Sequence, residues 1–252
     1  MKAAERQLRI RQMMESRDFV SLEALCRELG ASESSLRRDL GVLEEQNALR
    51  RVYGGAIPQQ QPPGRAFDYA AESERFNDEK TRIARVTASL IEDGQTVILD
   101  GGSTVAAVAM ELASRPLHII TNSLPIAEKL ETSRTVELTL TGGYFDPRIR
   151  VMLGPFCEQM LDAIRADVAI MGIGGITDSG FSNNNTLVVG SEQKMIEVSA
   201  KLIIVADHTK FGRGAMFPVA PLHAADIVVS DRELAPEFLE MLRSHAIDVH
   251  LA

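Results

Sequence analysis

The chain lacks the features that mark disulfide-rich and membrane-spanning proteins. Its only cysteines, Cys26 and Cys157, lie far apart and match neither a disulfide framework nor a metal-ligand motif, so we expect two small, mostly buried side chains. The longest apolar runs, such as Val168–Met171, are far shorter than a membrane span. The first residues show no apolar signal-peptide core. We therefore expect a soluble, cytoplasmic protein with no membrane partner.

Signatures of metal binding, nucleotide binding and catalysis are also missing. The five histidines show no metal-ligand spacing on a helix face. The glycine-rich turns match neither a P-loop nor a dinucleotide-binding fingerprint. We predict that the protein has no metal, no cofactor and no catalytic residue.

The chain also lacks the net positive charge that is typical of nucleic-acid-binding proteins, since its net charge is −8. The charges are unevenly distributed, however. Residues 1–57 hold 10 of the 27 basic and 9 of the 35 acidic residues, which gives +1 there and −9 in the remainder. A near-neutral module attached to an acidic body can bind DNA when its arginines share one face. The arrangement of the arginines must therefore decide.

A proline- and glutamine-rich stretch from Pro58 to Gly64 divides the chain and predicts an exposed linker. We place a first domain at residues 1–57, a linker at 58–77 and a second domain at 78–252. In the second domain helical patterns alternate with apolar strand patterns, which predicts an α/β fold with a mainly parallel sheet covered on both faces. The expected strands are Thr96–Leu99, His118–Thr121, Val136–Thr141, Ala166–Met171, Leu202–Ala206, Ile227–Val229 and Val249–Leu251. The expected helices span residues 78–91, 105–113, 126–130 and 192–199.

The first domain has the pattern of a winged helix-turn-helix. It predicts helices over residues 4–15, 22–29 and 33–46, with Gly30 in the turn between the second and third helices. Leu36, Leu40 and Leu43 form the buried stripe of the third helix. Its other side chains are polar or basic, as a recognition helix in the major groove requires. We predict DNA contacts from this helix and the following β-wing, by Ser32, Ser34, Ser35, Arg37, Arg38, Arg50, Arg51 and Tyr53.

Polar and glycine residues gather where the predicted strands end, and ligands of open parallel sheets bind at that edge. Glycines at a helix start let backbone N–H groups approach an anion, which predicts a site for a phosphorylated sugar. Lys210 is the candidate phosphate ligand, and Arg148 and Arg150 are weaker ones. The predicted site comprises Asp100, Gly101, Gly102, Ser103, Thr104, Asn122, Gly143, Asp207 and Lys210. The alternative for residues 100–104 is a tight strand-to-helix turn with a capping serine.

Three segments of the first domain together resemble the DeoR family of prokaryotic regulators of sugar metabolism, namely Phe19–Leu25, Ser32–Leu40 and Arg51–Ala56. The resemblance continues in the second domain at residues 100–104, 121–122, 141–143 and 207–212. It implies a Rossmann-like sensor similar in fold to sugar-phosphate isomerases, with a phosphorylated sugar as effector. It further implies a sequence-specific, DNA-binding transcriptional regulator, most often a repressor, of carbohydrate catabolism genes.

Two stretches depart from the family pattern. Ser35-Leu36 stands where relatives usually have threonine and isoleucine, which keeps the hydroxyl and the aliphatic side chain. After Gly180 relatives often carry acidic residues and then a lysine on the helix, where this chain has Leu187-Val188 and then Glu192. The resemblance therefore fixes neither the identity nor the charge of the effector.

Two further functions stay open from the residues alone. A sugar-phosphate isomerase or deaminase with an accessory DNA-binding module needs a carboxylate base and a proton donor. Candidates for both are present in Asp100, Asp207, His208 and Lys210. The other function is that of an architectural DNA-binding protein, whose second domain only oligomerises. The polar residues at the strand ends argue against this alternative. We also expect a homo-oligomer, a dimer or larger, because one winged module is too small for high specificity on its double-stranded DNA operator.

Overall fold

The structure, a computed structural model, describes residues 3–15, 20–45, 48–52, 55–58, 69–73 and 75–252. The chain divides into two compact units, Met1–Arg65 and Ala66–Ala252. Each unit has hydrophobic core residues of its own. Within the described residues no helix is both long enough and apolar enough to cross a membrane.

The first unit is a winged helix-turn-helix, as predicted. It contains α1 (Ala3–Glu15), β1 (Val20–Ser21), α2 (Leu22–Leu29), α3 (Glu33–Glu45), β2 (Leu49–Val52) and β3 (Gly55–Pro58). The hairpin of β2 and β3 forms the wing, and β1 pairs with the other edge of β3. Ser21 caps α2 by accepting a hydrogen bond from the Ala24 N–H at 3.1 Å, and Gly30 ends that helix in the left-handed conformation with φ 58°.

The core of the first unit fixes the orientation of α3. Leu36, Leu40 and Leu43 are at most 2% exposed, so the predicted stripe is buried. Asp39 on the same helix is also buried, and it accepts hydrogen bonds from Arg6 at 2.7 Å and Gln7 at 3.1 Å on α1. Because these contacts hold one face of α3 against the core, the opposite face of the helix carries its exposed side chains.

The second unit alternates helices and strands around a central sheet. Its first half contains α4 (Tyr69–Ser73), α5 (Asn77–Ser89), β4 (Thr96–Leu99), α6 (Ser103–Leu112), β5 (His118–Thr121), α7 (Leu124–Leu130), β6 (Glu137–Leu140), β7 (Tyr144–Asp146), β8 (Val151–Leu153) and α8 (Pro155–Asp162). Its second half contains β9 (Val168–Met171), β10 (Gly175–Thr177), β11 (Gly180–Asn183), α9 (Thr186–Glu197), β12 (Leu202–Val205), β13 (Phe217–Ala220), β14 (Ile227–Ser230), α10 (Pro236–Ser244) and β15 (Asp248–Leu251).

The central sheet has seven strands in the order β15-β14-β12-β9-β4-β5-β6, and every neighbouring pair is parallel. Alternate residues of its strands enter different cores: Ile98 and Ile204 belong to one cluster, Val97 and Ile203 to the other. Both faces of the sheet are therefore covered, which confirms the predicted α/β fold class.

Four features differ from the sequence-based expectation. The hairpin of β7 and β8 and the small antiparallel sheet of β10, β11 and β13 were not predicted. Helix α9 begins at Thr186 rather than near Glu192, because the Asn185 side chain caps it by accepting from the Leu187 N–H at 3.0 Å. Helix α4 lies inside the stretch predicted as linker, and the Tyr69 N–H donates to the Arg148 carbonyl at 3.0 Å.

Candidate DNA-binding surface and effector site

The N-terminal half of α3 exposes the polar and basic side chains that the sequence singled out. Ser34, Arg37 and Arg38 are exposed, and Ser35 is half-buried. The Ser32 hydroxyl lies 3.0 Å from that of Ser35 and accepts a hydrogen bond from the Ser35 N–H at 3.4 Å, so it orders the start of the helix. This surface presents hydroxyl and guanidinium donors on one side of one helix turn, which is what major-groove recognition uses.

The arginines of α3 are held only by exposed partners. Arg37 pairs with Glu33 at 2.6 Å, and both side chains are more than 60% exposed. Arg38 donates to the Ser34 carbonyl at 3.4 Å. Exposed ion pairs of this kind contribute about 0–1 kcal/mol. Both guanidinium groups can therefore exchange these partners for a guanine edge or a phosphate at little cost.

The wing is tied to the end of α3 through Arg51. Glu44 accepts hydrogen bonds from the Arg51 backbone N–H at 2.8 Å and from its Nε at 2.7 Å, and these bonds hold the pKa of Glu44 below its usual value. A DNA phosphate that binds Arg51 has to compete with this carboxylate. Arg50 lies in β2, where its side chain is not among the described ones, and Tyr53 lies outside the described residues.

The predicted effector residues follow neighbouring strands of the central sheet. Asp100 follows β4, Asn122 follows β5, Gly143 comes shortly after β6, and Asp207 comes shortly after β12. Because these strands are parallel, their carboxyl ends meet at one edge of the sheet. The strand order reverses between β4 and β9, and such a switch point is where open α/β sheets form a ligand crevice.

The turn between β4 and α6 depends on its two glycines. A Cβ on Gly101 would lie 2.4 Å from the Val151 Cγ1, and Gly102 adopts φ 114°, which favours glycine. Helix α6 begins at Ser103, and its N-cap Gly102 has no side chain to make a cap. The tight strand-to-helix turn of the alternative interpretation is therefore present, but the capping serine is not, because Ser103 and Thr104 belong to the first helical turn. The N–H groups that open a helix are the candidate anion-binding feature of this turn.

Lys210 is joined to this turn through Glu72 of α4. The Lys210 Nζ lies 3.4 Å from the Glu72 Oε2, and the Ser103 hydroxyl donates to the Glu72 carbonyl at 3.4 Å. Lys80, which is 4% exposed, donates to the same carbonyl and to that of Arg75 at 2.5 Å, and burial lowers the pKa of Lys80. Glu72 was not predicted from the sequence, and its carboxylate pairs with the predicted phosphate ligand, Lys210.

Several other side chains near this edge have structural partners. Asp207 caps the turn at residues 208–210, since its Oδ1 accepts from the Thr209 N–H at 3.0 Å and from the Thr209 hydroxyl. The weaker phosphate candidates are paired with carboxylates: Arg148 with Asp146 at 2.9 Å, and Arg150 with Glu128 at 2.8 Å.

His208, Asp231 and Glu233 lie close enough together to hold a metal ion. The oxygens of Asp231, however, accept hydrogen bonds from the His208 N–H at 2.8 Å and from the Glu233 N–H at 3.0 Å. The buried carboxylate of Asp231 is therefore explained by its hydrogen bonds within a turn, without a metal ion.

Near Asp100 lies a buried carboxyl that was noted in the sequence but not assigned to the site. Glu192 on α9 is 1% exposed, and its Oε1 accepts a hydrogen bond from the Asn183 Nδ2 at 2.8 Å. Burial raises the pKa of Asp100 to about 7. Burial, reinforced by the charge of Asp100, raises the pKa of Glu192 well above its usual value. Beside them Cys157 contacts the Thr141 hydroxyl at 3.4 Å, and burial raises the pKa of its thiol.

A winged helix-turn-helix joined to an α/β unit with a polar crevice defines a ligand-responsive DNA-binding regulator. Residues 6–61 match the model of the DeoR-like helix-turn-helix domain, and residues 75–232 match that of the DeoR C-terminal sensor domain. Over the whole chain the protein is 32% identical to the glycerol-3-phosphate regulon repressor of Escherichia coli, and the match covers 100% of both chains. The chain belongs to the DeoR family of transcriptional regulators.

Two relatives from Bacillus subtilis have similar names and coverage. The HTH-type transcriptional repressor GlcR is 31% identical over 97% of this chain and 95% of its own length. The HTH-type transcriptional regulator IolR is 29% identical over 97% of this chain and 99% of its own length. These relatives are regulators, so the chain is a regulator and not an enzyme. Among solved structures, ribose 5-phosphate isomerase A from Methanocaldococcus jannaschii covers 54% of each chain at 17% identity and a TM-score of 0.41, a similarity too weak to bear on function.

Proposed function

We propose that the protein is a cytoplasmic, homo-oligomeric repressor of carbohydrate catabolism genes, and that a phosphorylated sugar bound at the strand edge modulates its affinity for DNA. One observation carries the proposal. Lys210, the start of α6 and two buried side chains that can accept hydrogen bonds from sugar hydroxyls, Asp100 and Asn122, lie at one edge of the sheet in a DeoR sensor domain. The E. coli relative, named for a glycerol-3-phosphate regulon, supports both repression and a phosphorylated ligand.

Operator recognition in this proposal rests on α3 and the wing. Arg37 and Arg38 are the candidates for bidentate contact with guanine, because both are exposed and weakly held. Ser34 lies one helical turn before them and is placed to contact a base edge or a phosphate. Arg51, on the wing, is the phosphate ligand, with Glu44 as its partner in the absence of DNA.

The effector's phosphate binds at the start of α6 and at Lys210. The two features share one neighbour, Glu72, whose carbonyl accepts from Ser103 and whose carboxylate pairs with Lys210. The phosphate therefore has to displace this carboxylate before it reaches the Lys210 ammonium. Sugar hydroxyls then extend toward Asp100 and Asn122, which are at most 5% exposed and follow adjacent strands.

Assembly through the second unit accompanies this function. Large apolar side chains are exposed on three neighbouring elements of that unit: Tyr144 on β7 (62%), Phe156 on α8 (75%) and Leu187 on α9 (44%). Helices α8 and α9 both pack against β8, the hairpin partner of β7. Exposed apolar groups that gather on adjoining elements are typical of protein interfaces. This surface supports a dimer that pairs two winged modules on repeated half-sites.

A thermal-shift screen of the full chain against sugar phosphates and their unphosphorylated forms tests the proposal. A ligand at 100 times its Kd adds about 2.7 kcal/mol to stability, which is readily measured. We expect stabilisation by a phosphorylated sugar that is recovered unchanged, and loss of that stabilisation in Lys210→Met. Lys201→Met, at an exposed lysine in the same unit, is the matched control. Stabilisation by no phosphorylated compound, or recovery of an isomerised or deaminated product, contradicts the proposal.

A further inference from the structure

Glu192 is a buried acid whose position has no evident structural purpose. It lies on α9 and is 1% exposed, and its Oε1 accepts a hydrogen bond from the Asn183 side chain at 2.8 Å. Within the described residues its Oε2 has no hydrogen-bond partner. The helix itself is anchored by other residues, since Val189 and Met195 are buried in the core. Fixing α9 therefore does not require an acid here.

Other acceptors at the same edge are also unsatisfied. The Oδ1 of Asn122, which is 1% exposed, has no partner among the described residues. The carboxyl of Asp100 is close enough to Glu192 for its charge to raise the pKa of Glu192. Across the described residues, no lysine, arginine or histidine forms an ion pair with Asp100 or Glu192. Buried acceptors are nearly always hydrogen-bonded in folded proteins, so unsatisfied ones that gather at a crevice point to donors on a ligand.

We propose that Glu192 and Asp100 form a specificity subsite that accepts hydrogen bonds from hydroxyl or ammonium groups of the effector and excludes a second anionic group. This inference rests on the proposed function and refines it. Asp100 directly precedes the glycine turn at which the phosphate binds, so the subsite and the phosphate hold different ends of one small molecule. A carboxylate or second phosphate at the subsite would meet two acidic groups and no compensating cation.

The selectivity has a physical basis in what the two carboxyls offer a ligand, namely hydrogen-bond acceptors that pair with no cation among the described residues. A carboxyl keeps an accepting oxygen in either protonation state, and a site built to accept hydrogen bonds discriminates strongly against ligands that cannot donate. An ammonium group would also supply the countercharge that the two buried acids lack. Hydroxyl groups of the ligand would each donate to one of these free oxygens, on Glu192 or Asn122, without adding charge.

The test compares matched probes on the full chain by calorimetry at pH 7.5. The probes are glucose 6-phosphate, glucosamine 6-phosphate and 6-phosphogluconate, with galactose 6-phosphate and galactosamine 6-phosphate as a second series. We expect the hydroxyl or amino form to bind at least tenfold more tightly than the acid form. Tighter binding of the amino form indicates an ammonium at the subsite, and equal or weaker binding indicates a hydroxyl.

Glu192→Gln should reduce this preference at least tenfold, because the amide keeps the shape, cannot ionise and replaces one accepting oxygen with an NH₂ donor. Glu197→Gln, on an exposed acid of the same helix, is the control. If Glu192→Gln fails to give a folded circular dichroism spectrum, Asp100→Asn serves for the same comparison. Binding that depends on Lys210 but shows the same order of probes in wild type and Glu192→Gln overturns this inference alone. Tightest binding of 6-phosphogluconate also overturns it, and no binding by any probe overturns the proposed function with it.

Discussion

The buried carboxyl of Asp100 should make the second unit less stable as the pH rises from 5 to 8. Burial raises the pKa of Asp100 from 3.8 to about 7 in the folded protein. Because the folded pKa is the higher one, the folded form keeps a proton that the unfolded chain has released. The stability that this group contributes is therefore complete below pH 4 and is lost as the pH rises through 7. Between pH 5 and pH 8 the loss is roughly 2–3 kcal/mol.

Asp100→Asn removes this titration while keeping the size and polarity of the side chain. Urea unfolding of wild type and variant, followed by circular dichroism at pH 5 and pH 8, measures the difference. The wild type should lose about 2–3 kcal/mol more than the variant over that interval. Asp178→Asn, on an exposed carboxyl, should behave like the wild type. Glu192 adds to the decline in every variant, because burial raises its pKa too. Equal pH dependence in wild type and Asp100→Asn would refute the reasoning.

Three further predictions concern DNA, effector and assembly. Arg37→Ala or Arg38→Ala should weaken operator binding by about 1–3 kcal/mol and relax the sequence preference. Footprinting measures this, with Lys201→Ala as the control. Unchanged affinity in both variants would remove α3 from the interface. Glu72→Gln should strengthen effector binding about fivefold in calorimetry. The substitution abolishes a half-buried ion pair, worth about 1 kcal/mol, that competes with the effector for Lys210. Weaker binding would contradict this competition. Light scattering should find that the full chain is a dimer or larger and that the Phe156→Asp variant is dissociated. Leu8→Asp, in the first unit, is the control. A monomeric wild type at micromolar concentration would count against assembly.

The sheet could be predicted because its strands are continuous apolar runs buried on both faces. Strands β4 and β5 have the bounds expected from the sequence, Thr96–Leu99 and His118–Thr121. Most of the strands that were missed carry glycine, proline or polar side chains, which interrupt an apolar run. An example is β13, which contains Pro218 and pairs only with β11. Interrupted runs of this kind show no usable hydrophobic pattern.

The site was only partly predictable, for a related reason. Asp100 and Asn122 follow recognisable parallel strands, so the topology alone brings them to one edge. Glu72 lies on a five-residue helix within the predicted linker, and its contact with Lys210 spans 138 positions. Glu192 was placed at the start of its helix rather than in its second turn, so its direction into the core could not be assigned. Its departure from the lysine of related sequences was the only signal.

The central claim, that a sugar phosphate at the strand edge controls DNA binding, is tested most directly by operator affinity with and without effector. The full chain first selects its operator from random duplexes, and fluorescence anisotropy then measures its affinity for that DNA. We predict that the effector found in the thermal-shift screen weakens the wild-type complex at least tenfold. Lys210→Met should keep the operator affinity of the wild type and lose this response. Selection of no preferred sequence, or an operator affinity that the effector changes equally in wild type and Lys210→Met, would contradict the account.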